Sequence, residues 1–277
     1  MQQQRLIGIV LVTLSAVTFS TAGLFVKGVS AGSYAIVFWR SLGAIAAIFT
    51  YTYCKGQLKN EQQNFGSVAW AVSIVGALGT LAFVPAFKYT SIANVSIIYA
   101  AAPFVSAGIA YLWMREIPAR ATLYGSVVVV LGVAIIFGES VGQSQLLGDL
   151  LALIMTAFMA LVVCIYRRYP NTSTLGPAAM MALLLVPVGF VFDTPFNIPT
   201  VEIGLCLLFG LVFALASVTL AEGARRLPAA QTSLLSALEM PLAPIWALLL
   251  FSETPALSTL IGGLLIAVAV VAATLKN

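Results

Sequence analysis

A carboxyl group placed halfway along an apolar stretch is costly, and this chain of 277 residues keeps one at Glu239. Glu239 lies about ten residues into the run Ala229–Phe251, roughly 15 Å at 1.5 Å per residue, or half of a bilayer core about 30 Å thick. An ionisable side chain at that depth costs at least a few kcal/mol and is by default a candidate functional group. Thr232, Ser236, Ala243 and Trp246 share its helical face at spacings of three, four and seven residues, while Leu234, Leu238, Leu248 and Leu249 serve other faces. Such a stripe suits recognition of a polar, partly aromatic small molecule. Glu239 is also the candidate for proton coupling, because a buried carboxyl group exchanges its proton as its surroundings change. The competing reading makes it an uncharged, hydrogen-bonded packing device between helices.

Two further side chains enter the same chemistry. Arg40 stands about seven residues inside the run Tyr34–Tyr53 and follows Trp39. A guanidinium binds carboxylates bidentately, so Arg40 is a candidate anion site. Its long stem also suits carriage of the charge out to the headgroups, beside an interfacial Trp39. The hydroxyl of Tyr99 needs protein or water, not lipid, as a partner. It is either a substrate contact or an ordinary core tyrosine. Phe83, with Phe87, Phe213 and Trp246, offers an apolar wall. An amino acid needs one group for its carboxylate and one for its ammonium, and Arg40 and Glu239 are candidates for the two roles. Glu116 and Glu253, each two residues before a proline, have a plainer reading as caps of the helices that follow.

Other chemistries are excluded. The chain has no His, which removes imidazole-based metal sites and Ser-His-Asp catalysis. Cys54, Cys164 and Cys206 are far apart in or beside apolar runs and read as small apolar fillers. No Gly-x-x-x-x-Gly-Lys-Ser/Thr loop is present, so ATP-driven pumping within this chain is excluded. No enzymatic activity, metal or cofactor is expected, since a nucleophile and base within mutual reach are missing. A membrane receptor or structural subunit would need a sensing or docking segment longer than any polar break here.

Placing these groups requires membrane helices. The chain is 61% hydrophobic and 8% charged, with a mean hydropathy of +1.06, against about 25% charged residues in a soluble domain. Runs of roughly 20 apolar residues span a bilayer. The chain offers ten, at Arg5–Val26, Tyr34–Tyr53, Val68–Phe87, Ile92–Met114, Ala119–Gly138, Leu147–Tyr166, Leu175–Phe192, Val201–Ala221, Ala229–Phe251 and Ala256–Leu275. The longest polar break, Lys55–Ser67, is assigned to water. Pro85, Pro103, Pro187, Pro241 and Pro244 are expected to interrupt spans 3, 4, 7 and 9. The first span is read as retained, not as a cleaved signal peptide.

The chain also repeats itself. Ala93, Ser96, Glu116, Pro118 and Gly125 recur as Ala230, Ser233, Glu253, Pro255 and Gly262, each 137 residues on. The repeat pairs Tyr99 with Ser236 and Ala102 with Glu239, so one face of span 4 matches one face of span 9. Gly125 and Gly132 on span 5, with Gly262 and Ala269 on span 10, are small faces suited to close packing. Ten spans divide into two five-helix repeats, 1–139 and 145–277, together one transmembrane domain. Five is odd, so the second repeat enters the membrane from the opposite side. With the N-terminus in the cytoplasm, ten Lys and Arg fall at cytoplasmic ends and two at external ends. That bias puts both termini in the cytoplasm.

The duplicated ten-span layout, Ala93-Asn94-Val95-Ser96 through Pro103 to Arg115-Glu116-Ile117-Pro118, its copy Ala230-Gln231-Thr232-Ser233 through Pro241 to Ser252-Glu253-Thr254-Pro255, and Phe38-Trp39-Arg40 resemble the drug/metabolite transporter superfamily in its ten-helix EamA-type branch. The resemblance covers nearly the whole chain, and YddG-like aromatic amino acid exporters are the nearest analogy. It implies an all-α membrane protein with a central cavity lined mainly by spans 1–4 and 6–9, spans 5 and 10 being peripheral. The function expected is secondary transport, as an exporter, of a small metabolite by alternating access in the bacterial cytoplasmic (inner) membrane. Amino acids, aromatic or apolar ones included, lead as substrates, with multidrug or other metabolite export as the alternative. The partners expected are a small-molecule substrate and the lipid bilayer, without nucleic acid, and a monomer is compatible with the architecture. Substrate contacts are expected at mid-depth between spans 4 and 9, from Tyr99, Glu239, Ser236, Thr232, Trp246, Arg40 and Phe83.

Overall fold

The computed structural model describes residues 2–63, 65–117, 120–140, 144–169, 171–224, 226, 235–236 and 238–275. Every regular element among them is helical: α1 (Gln2–Ser20), α2 (Ala22–Lys27), α3 (Ser33–Cys54), α4 (Leu58–Gln63), α5 (Ser67–Tyr89), α6 (Ile92–Tyr99), α7 (Ala102–Met114), α8 (Arg120–Ser140), α9 (Leu146–Arg168), α10 (Leu175–Phe192), α11 (Thr200–Ala224), α12 (Glu239–Phe251) and α13 (Leu257–Leu275). Seven described stretches are long and apolar enough to cross a membrane, α1 and α2 counting as one, and three shorter apolar helices lie in α8, α12 and α13. These are the ten spans, in an all-α membrane fold. Leu112, Tyr124, Val130 and Leu264 point outward and are exposed, as lipid-facing side chains are and water-facing ones seldom are.

The ends of the spans fall within a few residues of the apolar runs, with two differences. A short helix, α4, occupies the break assigned to water. Pro85 and Pro187 sit inside α5 and α10 without ending them. Neighbouring helices in a membrane protein re-satisfy the backbone groups that such prolines release.

Contacts gather the chain into two compact units, each drawing on both sequence halves: residues 1–77 with 171–242, and 78–170 with 243–277. In the first unit α3 packs against α10 and α11, and α1 packs against α11. Gly210 makes one of these seams possible, because a Cβ there would lie 2.1 Å from the carbonyl oxygen of Arg40 on α3. Carboxylates of one half hold the helix corners of the other. Glu202 accepts from the Ser30 and Ala31 amides at 3.0 and 2.9 Å, and Asp193 accepts from the Ala35 amide at 3.0 Å. At the corner before α10, Glu61 of α4 accepts from the Gly176 amide at 2.8 Å and from the Ser173 hydroxyl. Each bond satisfies an amide at or near a helix N-terminus that has no partner within its own helix.

In the second unit α8 packs along α13, and α9 packs against α6 and α7. Gly132 and Gly262 meet across the α8–α13 seam, where a Cβ on either would come within 2.8 Å of the other's carbonyl oxygen. This is the small-residue packing expected of spans 5 and 10.

Candidate functional site

The repeat is written into the backbone where the candidate residues lie. Span 4 is not one helix: α6 ends at Tyr99, and α7 begins at Ala102. Span 9 has its counterpart, with residues 235–236 helical, a turn at Leu238, and α12 beginning at Glu239. At both breaks the helix tightens to an i→i−3 bond, from the Ala101 amide to the Ile98 carbonyl and from the Leu238 amide to the Leu235 carbonyl, at 3.1 and 3.2 Å. Pro103 and Pro241 cause this, since a proline supplies no N–H to the carbonyl four residues back. The far ends match as well. Met114 and Phe251 close α7 and α12, and Arg115 and Ser252 follow with φ of 55° and 53°, the positive-φ non-glycine residues among those described. All these pairs stand 137 residues apart.

Glu239 therefore has a different setting from the one expected. It is a half-buried residue in the first turn of a half-helix, not a group in the middle of a continuous one. The amides of that turn lack intrahelical partners, and the positive end of the helix dipole favours a negative charge there. Ala243 and Trp246 keep their places on the Glu239 face within α12, Ala243 buried and Trp246 half-buried. Ser236 is half-buried and precedes the break. Thr232 lies outside the described residues.

Arg40 belongs to the same unit as Ser236 and Glu239. It is only 3% exposed, so its charge does not snorkel to a surface. The guanidinium carbon lies 4.2 Å from the centroid of the Phe213 ring and 5.0 Å from that of Phe209, both on α11. Trp39 is turned toward the α10–α11 corner, where its indole donates to the Pro195 carbonyl at 2.7 Å within a cluster that includes Phe38 and Phe196.

Phe83, Tyr99 and Trp246 belong to the other unit. Tyr99 is the half-buried last residue of α6. Phe83 on α5 packs edge-on to Phe87, with centroids 5.0 Å apart. The start of α6 is held from several directions. Ser91 caps the Asn94 amide, and Glu253 accepts from the Ile92 amide at 2.8 Å. Asp149, fully buried on α9, accepts from the Thr90 hydroxyl at 2.6 Å and the Asn94 amide group at 3.1 Å. Thr259 of α13 donates to Asn94 Oδ1 at 2.6 Å.

Glu253 thus supports α6, a helix of the other sequence half, in addition to standing before the proline that precedes α13. Glu116 forms an ion pair with Arg167 at 2.6 Å. The Thr90–Asn94–Asp149–Thr259 network was not foreseen, because its members are scattered among apolar neighbours. Only Ser91 followed by a helical run carried a local signal, that of an N-cap. Among the described residues no cluster of His, Cys, Asp or Glu is arranged to hold a metal.

Comparison with known proteins adds two findings. The sequence profile of the EamA-like transporter family matches residues 6–138 and again 146–275. A solved crystal structure with 17% sequence identity superposes with a TM-score of 0.66, covering 100% of this chain and 98% of the other. At that identity the likeness speaks for the fold alone. No curated protein matches the chain.

Proposed function

The chain belongs to the EamA-like transporter family, within the drug/metabolite transporter superfamily, and from that premise we propose that it is a secondary transporter exporting a small amphipathic metabolite by alternating access. Amino acids with aromatic or apolar side chains are the leading substrate class, and multidrug or other metabolite export is the alternative. The observation that carries this reading is the pair of matched helix breaks, at residues 100–101 and just before Glu239. In transporters built from repeats, half-helix ends at membrane depth are where substrates and coupling ions bind. Glu239 begins one such half-helix, and Tyr99 ends the half-helix that precedes the other break. Substrate contacts are assigned to Tyr99, Ser236, Glu239, Trp246, Arg40 and Phe83, with Thr232 beside them in sequence, and proton coupling to Glu239. The test is counterflow in proteoliposomes preloaded with unlabelled phenylalanine. Labelled phenylalanine is expected to accumulate transiently inside. Failure of a broad amino acid panel to exchange, with a cationic dye exchanging instead, would establish the multidrug alternative.

The two repeats, 1–139 and 145–277, form one transport domain in this reading. It is placed in a bacterial cytoplasmic membrane with both termini on the cytoplasmic side. Lys59→Cys on α4, in a background without native cysteines, is expected to react in intact cells only with a membrane-permeant thiol reagent. Labelling by an impermeant reagent would reverse the orientation.

A further inference from the structure

Arg40 does more than fill space in α3, and its surroundings define a ligand chemistry. We propose that the pocket of the first unit lined by Arg40, Ser41, Ala178, Met181, Leu185 and Phe213 is an anion subsite, and that the substrate is a carboxylate carrying an apolar body. This deepens the transporter reading and rests on it.

The argument begins with retention of the charge. A guanidinium 3% exposed among apolar side chains is costly compared with a neutral residue, and ionisable groups at membrane depth are kept where they act on a substrate or ion. Its orientation comes next. Phe213 and Phe209 lie against it at 4.2 and 5.0 Å, and those rings are themselves fixed. Phe209 stacks on Phe25 of α2 at 5.2 Å with planes 6° apart. Phe213 meets Phe19 of α1 at 5.4 Å in an edge contact. Gly210, between the two rings in sequence, brings α11 against the Arg40 backbone itself.

A cation–π contact uses the face of the guanidinium, whereas a carboxylate binds in its plane through a fork of N–H donors. The two interactions run in perpendicular directions, so the ring platform holds the fork in place without competing for the anion. The remaining wall supplies one hydroxyl, Ser41, and otherwise apolar groups. Met181 is an adaptable thioether, suited to side chains of varied shape. The pocket holds about 270 Å³ of partly open space, at the low end for small-molecule sites, which fits a head group with part of its apolar body.

The experiment compares two ligands that share a phenyl ring and differ in charge, 3-phenylpropionate and phenethylamine, by thermal shift on the purified full chain. The carboxylate is expected to raise the wild-type melting temperature, and the amine to do so far less. Arg40→Gln is expected to weaken the carboxylate response about tenfold to hundredfold, the equivalent of one charge-assisted hydrogen-bonded contact, and Arg40→Lys to recover part of it. If the ligand-free melt of Arg40→Gln has collapsed, Ala178→Leu fills the pocket without touching the charge and is expected to remove the carboxylate response. An equal shift by the amine, no shift by the carboxylate, or an undiminished shift in Ala178→Leu overturns the anion subsite. Phenylalanine counterflow in the same preparation decides the transporter reading separately.

Discussion

Glu239→Gln is expected to lower phenylalanine counterflow at least tenfold while the protein still folds and melts near the wild-type temperature. The substitution keeps the volume of the side chain and one acceptor oxygen, and removes the charge and the exchangeable proton. The structural loss is bounded by where the residue sits. Glu239 is in the first turn of α12, and a carboxylate at a helix N-terminus contributes about 0.3–1 kcal/mol in ordinary settings. In a domain of 150–250 residues 1 kcal/mol shifts melting by about 2–4 °C, so folding should survive. The functional loss has no such bound, because a group that binds or hands on the transported charge has no substitute in an amide. If Glu239 couples protons, the wild-type rate varies between pH 5 and 8 and the variant's rate is flat. Wild-type counterflow by Glu239→Gln across that range would remove Glu239 from the mechanism. A collapse of the melt with no specific transport defect would make it a packing residue instead.

The helical spans were readable in the sequence because hydropathy reports burial in lipid directly. Leu175–Phe192 appears with the same ends as an apolar run and as α10, and the offset of 137 residues already tied span 4 to span 9. The break in span 4 was harder to read. Its turn residues, Ala100 and Ala101, are good helix formers, and the cause, Pro103, lies two residues beyond. Prolines alone are not diagnostic, since Pro85 and Pro187 are absorbed into intact helices.

Side-chain partnerships were less legible still, since they join residues distant in sequence. Asn94 and Thr259 are 165 residues apart, and neither is unusual in its own window. Glu202 and Glu61 read as surface charges and prove to hold helix corners. For Arg40 the sequence left headgroup and anion-site readings equal. Burial against Phe213 removes the first, because a side chain turned into the protein does not reach a headgroup.

Gly210→Ala is expected to be the most damaging single methyl group in the first unit. The new Cβ would lie 2.1 Å from the Arg40 carbonyl oxygen and 2.6 Å from the Ala44 amide nitrogen. Both are backbone atoms, and residues four apart in α3 share a helical hydrogen bond, so neither yields without breaking that bond. Nor does the seam have room to slide, because Gly43 on the facing side would place its own Cβ 2.3 Å from the Leu207 carbonyl oxygen. The helices must therefore separate, and overpacking of this kind costs about 1–3 kcal/mol or more. That corresponds to a melting temperature lower by several degrees. Gly108→Ala is the matched control. A Cβ there meets nothing within 4 Å, and replacing a helical glycine by alanine stabilises by about 0.5–1 kcal/mol. Separation of α3 from α11 would also draw Phe209 and Phe213 away from the Arg40 guanidinium, so the carboxylate response should weaken along with stability. A Gly210→Ala variant that melts like the wild type would show that α3 and α11 do not approach so closely, and the ring platform under Arg40 would go with that contact.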